Sequence, residues 1–194
     1  MKKFLLASGL VAVFSTPLAQ AQAGSFEGLS IGLGVTSADT TTEYVHGTAL
    51  SSTSNDNNGV LQLQYSKAVN DNLLMGFGVT ANASDAKAGS IGATQYKVKD
   101  AYSLYVAPGF VFTRDWLGYG KLAFLNANLT DSAGHSYGFD YGWGYGIGVQ
   151  AMFGKYWFGQ LEYMVNQYKD RDAGAGDTVK LKSNVYALTA GYKF

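Results

Sequence analysis

The residues best suited to acid–base or nucleophilic chemistry lie around the second of the two histidines in the chain. His135 is followed directly by Ser136, and Asp131 and Asp140 lie close by in the sequence. A serine nucleophile needs a histidine within hydrogen-bonding reach of its hydroxyl group. Because adjacent residues of a strand point to opposite faces, His135 and Ser136 are poorly placed to bond to each other. We therefore predict that the protein is not an enzyme and has no catalytic residues.

Two glycine-rich stretches match the dinucleotide-binding pattern G-x-G-x-x-A. They are Gly76–Ala81 and Gly146–Ala151. That pattern binds a cofactor only where it joins a strand to a helix, and both stretches lie inside runs of alternating apolar and small residues. The chain has no cysteine, which excludes a disulfide framework and a thiolate metal site. We expect no cofactor and no metal, and we interpret these glycines as residues that face a narrow interior.

The elements that must carry these residues are eight segments in which apolar residues alternate with small or polar ones. A period of two predicts β-strands. The second face is rich in Gly, Ser, Thr and Gln and carries few of the charges of a solvated surface. The apolar face is therefore predicted to contact lipid rather than a soluble core. The eight predicted strands are Glu27–Thr36, Val60–Val69, Leu73–Asn82, Lys99–Phe112, Leu117–Leu129, Gly138–Phe153, Trp157–Tyr168 and Val185–Phe194.

The register of the fifth predicted strand is ambiguous. One register places Leu122 and Phe124 outside and Lys121 inside, whereas the other exposes Lys121 to lipid. A lysine on the lipid face near the midplane costs about 2–4 kcal/mol. We therefore predict that Lys121 points inward and that a bulge lies near Asn126.

Strands that cross a bilayer must pair all their backbone groups, so we predict that they close into a barrel. A set of polar side chains is then predicted to point into this barrel. Eight strands enclose an interior that side chains just fill, and a buried charge without a partner is very costly. We therefore expect an internal polar cluster in which Lys121 meets Glu162 or Asp140. The alternative is that the same groups line a narrow path for water or ions. The predicted members are Lys121, Asp140, Glu162, Gln62, Gln64, Gln150 and Gln160.

The connections between the predicted strands alternate in length. Short polar turns on one side and long loops on the other are typical of outer-membrane barrels, whose short turns lie in the periplasm. An even number of strands then places both termini in the periplasm. The first long segment is rich in Thr, Ser, Asn and Asp and suits contact with the surroundings. The four predicted loops are Ser37–Gly59, Ala83–Val98, Thr130–Ser136 and Lys169–Thr178.

The first 23 residues have the pattern of a secretory signal. Lys2 and Lys3 precede the apolar stretch Phe4–Phe14, which is too short to cross a bilayer as a helix, and small residues follow. Cleavage after Ala21 and cleavage after Ala23 both fit. Removing the signal leaves 14 − 2 = 12 basic and 14 acidic residues, a net charge of about −2. That charge excludes a strongly basic face, so we expect no nucleic-acid partner.

Several motifs together point to one known family. They are the signal, the glycine-aromatic strand Tyr141–Gly148, the segment Gln160–Tyr163 and the aromatic end Ala190–Phe194. In these features the chain resembles the outer-membrane β-barrel family of Gram-negative bacteria, a porin-like family related to OmpA/OmpX-type and opacity-type barrels. The resemblance implies an all-β fold, an eight-stranded antiparallel transmembrane β-barrel over residues 24–194, located in the cell outer membrane. Residues 1–23 would then be its signal peptide.

The resemblance also implies partners and a class of function. Outer-membrane lipids and the barrel-assembly machinery are the expected partners, and the terminal residues Tyr192 and Phe194 match the assembly signal that this machinery recognises in such families. A structural or surface-interaction role is the first expectation, with the loops exposed outside the cell and a possible extracellular ligand bound there. The alternative is a narrow porin-like channel for ions or small solutes, although eight strands argue against a wide pore.

Overall fold

The computed structural model describes the barrel and the short segment that leads into it. No helix among the described residues is both long and apolar enough to span a membrane. Residues 1–22, which hold almost all of the predicted signal, lie outside the described set, and so does His135. The described residues are 23–46, 48–83, 86–91, 94–131, 136–174 and 177–194, with side chains described except at 44–50, 84–100, 129–140 and 171–179.

Antiparallel strands form one sheet that closes on itself. The strands are β1 (Gly28–His46), β2 (Thr48–Ala68), β3 (Leu73–Asn82), β4 (Ala86–Ile91), β5 (Thr94–Thr113), β6 (Trp116–Asp131), β7 (Ser136–Phe153), β8 (Trp157–Tyr168), β9 (Arg171–Gly174) and β10 (Asp177–Lys193). Hydrogen-bonded neighbours follow the order β1-β2-β3-β5-β6-β7-β8-β10, and β10 also pairs with β1. The short strand β4 pairs with β5, as β3 does, and β9 pairs with β10, as β8 does. The described barrel therefore has eight strand positions.

The pairing of the first strand with the last closes the barrel wall. The ladder between β1 and β10 runs from Ser30 opposite Lys193 to Val45 opposite Thr178. A closed sheet leaves no unpaired edge within hydrocarbon, which is the condition for strands to cross a bilayer. The predicted eight-stranded antiparallel barrel is confirmed.

The two ends of the barrel differ in their connections. At one end, turns of two to four residues join the strands, β1 begins and β10 ends, and we call this the turn end. The opposite end is called the loop end. Gly154 has a φ of 72° in one of the turns, a left-handed conformation that favours glycine. The three turns are Val69–Asn72, Arg114–Asp115 and Gly154–Tyr156.

The outer face of the barrel is apolar and exposed, as a lipid-facing surface requires. Leu33, Ile147 and Leu188 are each at least 60% exposed although they are large aliphatic residues. Exposed aromatic residues gather near both ends, and such belts mark the two membrane interfaces of transmembrane barrels. Trp116, Phe153, Trp157 and Phe194 lie near the turn end, and Tyr102, Tyr141 and Tyr186 lie towards the loop end.

An apolar layer fills the lumen at the turn end. Val111 is 0% exposed and Phe158 is 3% exposed, and both belong to one buried cluster. A 3₁₀ helix before β1, Ala23–Phe26, contributes its first and last residues to the same cluster. The N–H of Ala23 donates to the carbonyl oxygen of Asp71 at 2.9 Å. The segment before the first strand therefore helps to close this end of the lumen.

The prediction of a long first loop was wrong. Most of Ser37–Gly59 belongs to β1 and β2, which pair without a register shift up to His46 opposite Thr48. Polar side chains support this extension across the two strands. The hydroxyl groups of Thr41 and Thr53 lie 3.1 Å apart, and the Asn55 amide donates to Asp39 Oδ1 at 2.8 Å. Threonine has a high strand propensity, so polarity alone was a poor sign of a loop.

Two other predicted loops are also shorter than expected. Strand β4 and the start of β5 occupy much of Ala83–Val98, and β9 occupies part of Lys169–Thr178. In both places the backbone continues the ladder of a neighbouring strand past the apolar band. Backbone pairing therefore extends further than the alternation of apolar residues, which ends where the lipid contact ends.

The fifth predicted strand has the register that we chose. Lys121 is 4% exposed and points into the lumen, whereas Leu122 is exposed on the outer face. The ladder between β6 and β7 shifts register between Leu125 and Ala127. The predicted bulge near Asn126 is therefore confirmed as an irregularity of this ladder, with the extra residue on the β7 side. The ordinary alternation of a strand keeps Lys121 inside and Leu122 outside.

Candidate functional site

The polar side chains of the lumen meet in a layer at mid-height of the barrel. Lys121 projects from β6 and Glu162 from β8, with β7 between them. The β7 residues opposite them are Gly146 and Gly148, which have no side chains to separate the two charges. Lys121 Nζ lies 2.9 Å from Glu162 Oε1 and 3.0 Å from Oε2. The structure thus brings Lys121 to Glu162, one of the two partners proposed from the sequence.

The carboxylate of Glu162 has further donors around it. Tyr119 donates its hydroxyl to Oε2 at 3.0 Å, and the Gln160 amide donates to the same oxygen at 3.4 Å. Lys121 Nζ also lies 3.9 Å from the centre of the Tyr105 ring, a cation–π contact. Both charged residues are less than 8% exposed. A buried ion pair is tolerated when such additional hydrogen bonds satisfy its remaining donors and acceptors.

A chain of amides extends the layer across the lumen to β2. Gln62 and Gln160 exchange amide hydrogen bonds of 3.2 and 3.3 Å. Gln64 accepts from the Tyr105 hydroxyl at 2.9 Å and donates to Ser66 Oγ at 2.9 Å. The lumen is therefore crossed from wall to wall by side chains that bond to one another.

Two predicted members stand apart from this network. Gln150 points into the lumen and is buried, but its amide lies 3.8 Å from Met152 Sδ, a weak contact at the edge of the apolar layer. Asp140 lies in β7, and its side chain is outside the described part of the structure. Five of the seven predicted residues thus form the network: Lys121, Glu162, Gln62, Gln64 and Gln160.

Sequence reasoning left two tyrosines out of the cluster. Tyr105 stands directly opposite Gly78 in the neighbouring strand, and Tyr119 stands opposite Gly148. A Cβ on either glycine would collide with the ring of the tyrosine beside it. Each glycine therefore makes room for a ring that points into the lumen. An inward glycine paired with an inward aromatic residue was the signal that could have revealed both tyrosines.

The lumen is filled on one side of this layer and partly empty on the other. The apolar cluster fills the turn end, whereas a cavity of about 140 Å³ lies on the loop-end side of Lys121 and Glu162. Among the described side chains, no group of three or more His, Cys, Asp or Glu could hold a metal ion. The ion pair is electrically neutral and hydrogen-bonded, which suits a structural link across the lumen.

The family comparison agrees with this architecture. Residues 6–194 match the model of the family described as "Outer membrane protein beta-barrel domain". The chain belongs to this family. Its apolar outer face is therefore the surface that meets the lipids of a Gram-negative outer membrane. No curated protein matches the chain.

Two solved outer-membrane barrels have the same fold. Neisserial surface protein A superposes with a TM-score of 0.55 at 15% identity, over 87% of this chain and 98% of that one. Ail, the attachment invasion locus protein of Yersinia pestis, in complex with the heparin analogue sucrose octasulfate, superposes with a TM-score of 0.53 at 18% identity. That alignment covers 87% of this chain and 99% of Ail. At these identities the likeness shows the fold alone.

Proposed function

We propose that this outer-membrane barrel is a non-enzymatic surface-interaction protein that binds an extended segment of an extracellular partner. The binding site is the edge of β2 at the loop end, where the strand continues beyond the apolar band. The observation that carries the proposal is the lack of a pairing strand on that edge. In the described residues, β2 pairs with β3 only from Val60 towards the turn end.

The backbone of β2 presents a regular edge beyond that point. The carbonyl oxygen of Gly59 accepts from Ala83 N on the side facing away from β1. Because alternate residues of a strand direct their N–H and C=O groups to the same side, Ser51, Thr53 and Asn55 direct theirs to this edge as well. The nearest strand on that side, β4, lies close to β2 but forms its ladder with β5 and not with β2. An added strand of about seven residues would displace β4 and lie along roughly 20 Å of this edge.

The sequence of this edge lacks three protections that are common at exposed strand edges. Exposed edges commonly carry lysine, proline or a bulge that prevents pairing with another chain. Residues 48–58 contain neither lysine nor proline, and their ladder with β1 has no bulge. Their Thr, Ser and Asn side chains keep the edge soluble, while the backbone remains suited to a further strand.

The filled lumen supports a surface role over the alternative of a channel. An eight-stranded barrel has an interior that side chains just fill. Here the apolar layer around Val111 and Phe158 lies under the polar network of Lys121 and Glu162. A solute would have to pass both layers, so we expect no steady conductance from the folded barrel.

Export and assembly complete the proposal. The signal at the start of the chain would direct it to the periplasm, and Tyr192 and Phe194 would be read by the barrel-assembly machinery. Burial of Ala23 in the turn-end cluster favours cleavage after Ala21 over cleavage after Ala23. An intact mass of the protein from outer membranes that begins at Gln22 would agree, and a start at Gly24 would contradict the choice.

Binding is tested with the whole barrel in liposomes and an immobilised library of seven-residue peptides, which offer the extended backbone that an added strand needs. The variant Thr53→Pro removes one edge N–H and leaves the ladder with β1 intact. The control Thr53→Ala loses the same hydroxyl contact with Thr41 but keeps the N–H. We expect binding at least tenfold weaker for the proline variant than for the alanine variant, because edge hydrogen bonds are lost.

Three results would contradict the proposal. They are equal binding by the proline and alanine variants, no binding by the wild-type barrel, and binding retained after deletion of Asp39–Asn58. Planar-bilayer recordings of the same preparations test the alternative directly. Steady currents that Lys121 or Glu162 substitutions abolish would favour the channel.

A further inference from the structure

The cavity on the loop-end side of the Lys121–Glu162 pair has two unlike walls. One wall is apolar and includes Leu125, Met164 and Leu181. The other carries hydroxyl groups from three strands, on Thr40, Thr80 and Ser103. The ion pair forms the floor. A molecule held here would therefore need one apolar face and a small polar group.

The size of the cavity limits what it can hold. Its volume is about 140 Å³. An engineered protein cavity of about 150 Å³ with apolar walls binds one benzene molecule. The cavity therefore has room for a single six-membered ring with a small substituent, and it is too small for a nucleotide or an oligosaccharide.

Most polar groups of the cavity wall that the structure describes already have partners. Thr40 donates to Ser183 Oγ at 3.1 Å, and the hydroxyl groups of Thr80 and Ser103 lie 2.5 Å apart. Thr36 donates to the Asn58 carbonyl oxygen at 3.2 Å. These bonds hold neighbouring strands together, so these hydroxyl groups are not the primary contacts for a guest molecule.

Asn166 differs from them. Its Oδ1 is shielded from solvent and has no hydrogen-bond partner among the described residues. It lies beside the apolar wall, since a Cβ on Gly144 would be 2.5 Å from Asn166 Oδ1, 3.1 Å from Met164 Cε and 3.4 Å from Leu125 Cδ2. A buried acceptor without a partner is costly, and a half-turn of the amide exchanges its oxygen and nitrogen. The side chain can thus offer either a donor or an acceptor to the cavity.

We propose that this cavity binds a single-ring aromatic molecule with one hydroxyl group, of which phenol is the simplest. The ring packs against Leu125 and Met164, where the methionine sulfur and methyl group make favourable contacts with aromatic rings. The hydroxyl group bonds to the Asn166 amide and can either donate to it or accept from it. Volume, the apolar wall and the unpaired amide together define this ligand class.

The test uses the full barrel in lipid nanodiscs with ¹³C-labelled methionine methyl groups and follows their NMR shifts during titration. Met164 lines the cavity, Met152 lies in the turn-end cluster, and Met75 lies on the outer, lipid-facing side of β3. The probes are phenol and toluene, which have rings of the same size and differ in the hydroxyl group. We expect a saturable shift of Met164 alone, with phenol binding about tenfold more tightly than toluene.

The variant Asn166→Leu removes the amide and keeps a similar side-chain volume. In this variant we expect phenol and toluene to bind equally, while the control Asn184→Leu, on the outer face of β10, keeps the tenfold preference. A second variant, Ala187→Phe, places a ring in the cavity and should abolish the Met164 shift with both probes. A gel shift between unboiled and boiled samples checks that each variant is folded.

Each other result counts against the proposal. Equal affinities for phenol and toluene in the wild-type barrel would remove the role of Asn166. A Met164 shift that grows without saturation in parallel with Met75 would mean partition into lipid only. A phenol preference that persists in Asn166→Leu would assign the hydroxyl contact to another group.

Discussion

The turn-end half and the loop-end half of this barrel are built in different ways. At the turn end, apolar side chains fill the lumen, and the segment before β1 adds Phe26 to them. At the loop end, hydroxyl and amide pairs such as Thr80–Ser103 and Asn55–Asp39 join the strands, and a cavity remains between the walls. Apolar burial is worth more per residue than exposed hydrogen bonds. The turn end therefore supplies stability, and the loop end is free to supply binding.

The polar layer separates these halves and belongs to neither. Its ion pair is buried and has to remain intact, because one charge without its partner would be left in a low-dielectric lumen. On the turn-end side of the layer the packed side chains leave no room for a ligand, whereas on the loop-end side the cavity does. Substitutions in the layer should therefore have larger effects than substitutions in either half.

The largest expected effect is that of Lys121→Met. The substitution leaves Glu162 buried without its cation, and we expect the free energy of unfolding in lipid vesicles to fall by about 4 kcal/mol. Urea titration followed by tryptophan fluorescence measures it. The double variant Lys121→Met with Glu162→Leu should recover most of the loss. Equal losses in the single and double variants would mean that the pair does not act as a unit.

The next effect compares the two halves directly. Phe26→Ala removes a ring from the turn-end cluster, and we expect a loss of about 3 kcal/mol, near the lower end for buried phenylalanines. Leu181→Ala enlarges a cavity that already exists at the loop end, and we expect about 2 kcal/mol. The same urea titration measures both. A larger loss for Leu181→Ala would reverse the assignment of stability to the turn end.

The alternation of residues was enough to predict the barrel wall, and hydrogen-bond pairing decided the rest. The side of Lys121 followed from the cost of a charge in lipid, and the bulge at Asn126 followed from the register. The extension of β1 and β2 could not be predicted in this way. Outside the lipid band their residues are mostly Thr, Ser and Asn, so apolar residues no longer alternate there although the backbones stay paired. Tyr105 and Tyr119 joined the cluster because glycines stand opposite them, a property of paired strands that a single strand does not reveal.

A smaller effect separates buried from exposed hydroxyl pairs. Thr80→Val removes one partner of the Thr80–Ser103 pair inside the lumen, and we expect a loss of about 1 kcal/mol. Thr41→Val removes the equivalent contact with Thr53 on the exposed extension, where water can replace it, so we expect a loss below about 0.5 kcal/mol. Equal losses for the two variants would mean that the lumen offers no protection from solvent at this height.

The smallest expected effect lies at the mouth of the turn end and depends on pH. Glu27 Oε1 accepts from the backbone N–H of Ala68 at 2.8 Å and lies 3.1 Å from Lys67 Nζ. The hydrogen bond from Ala68, followed by the contact with Lys67, lowers the pKa of the Glu27 carboxyl group from its usual 4.5. A carboxyl group with a lowered pKa stabilises the folded state above its unfolded value. That contribution is lost as the pH falls from about 4.5 through the lowered pKa.

The unfolding free energies of wild type and Glu27→Gln should therefore differ at pH 7 and converge as the pH is lowered below 4.5. The variant Lys67→Gln separates the two causes of the lowered pKa, because it removes the contact with Lys67 and leaves the hydrogen bond from Ala68. Wild type and Lys67→Gln should both keep a pH-dependent difference from their Glu27→Gln counterparts, since the Ala68 N–H still favours the ionised carboxyl group. If Lys67→Gln abolished that difference, the anchoring of the N-terminal segment would rest on a surface ion pair. The N-terminal segment would then contribute less to the free energy of unfolding than the burial of Phe26 implies.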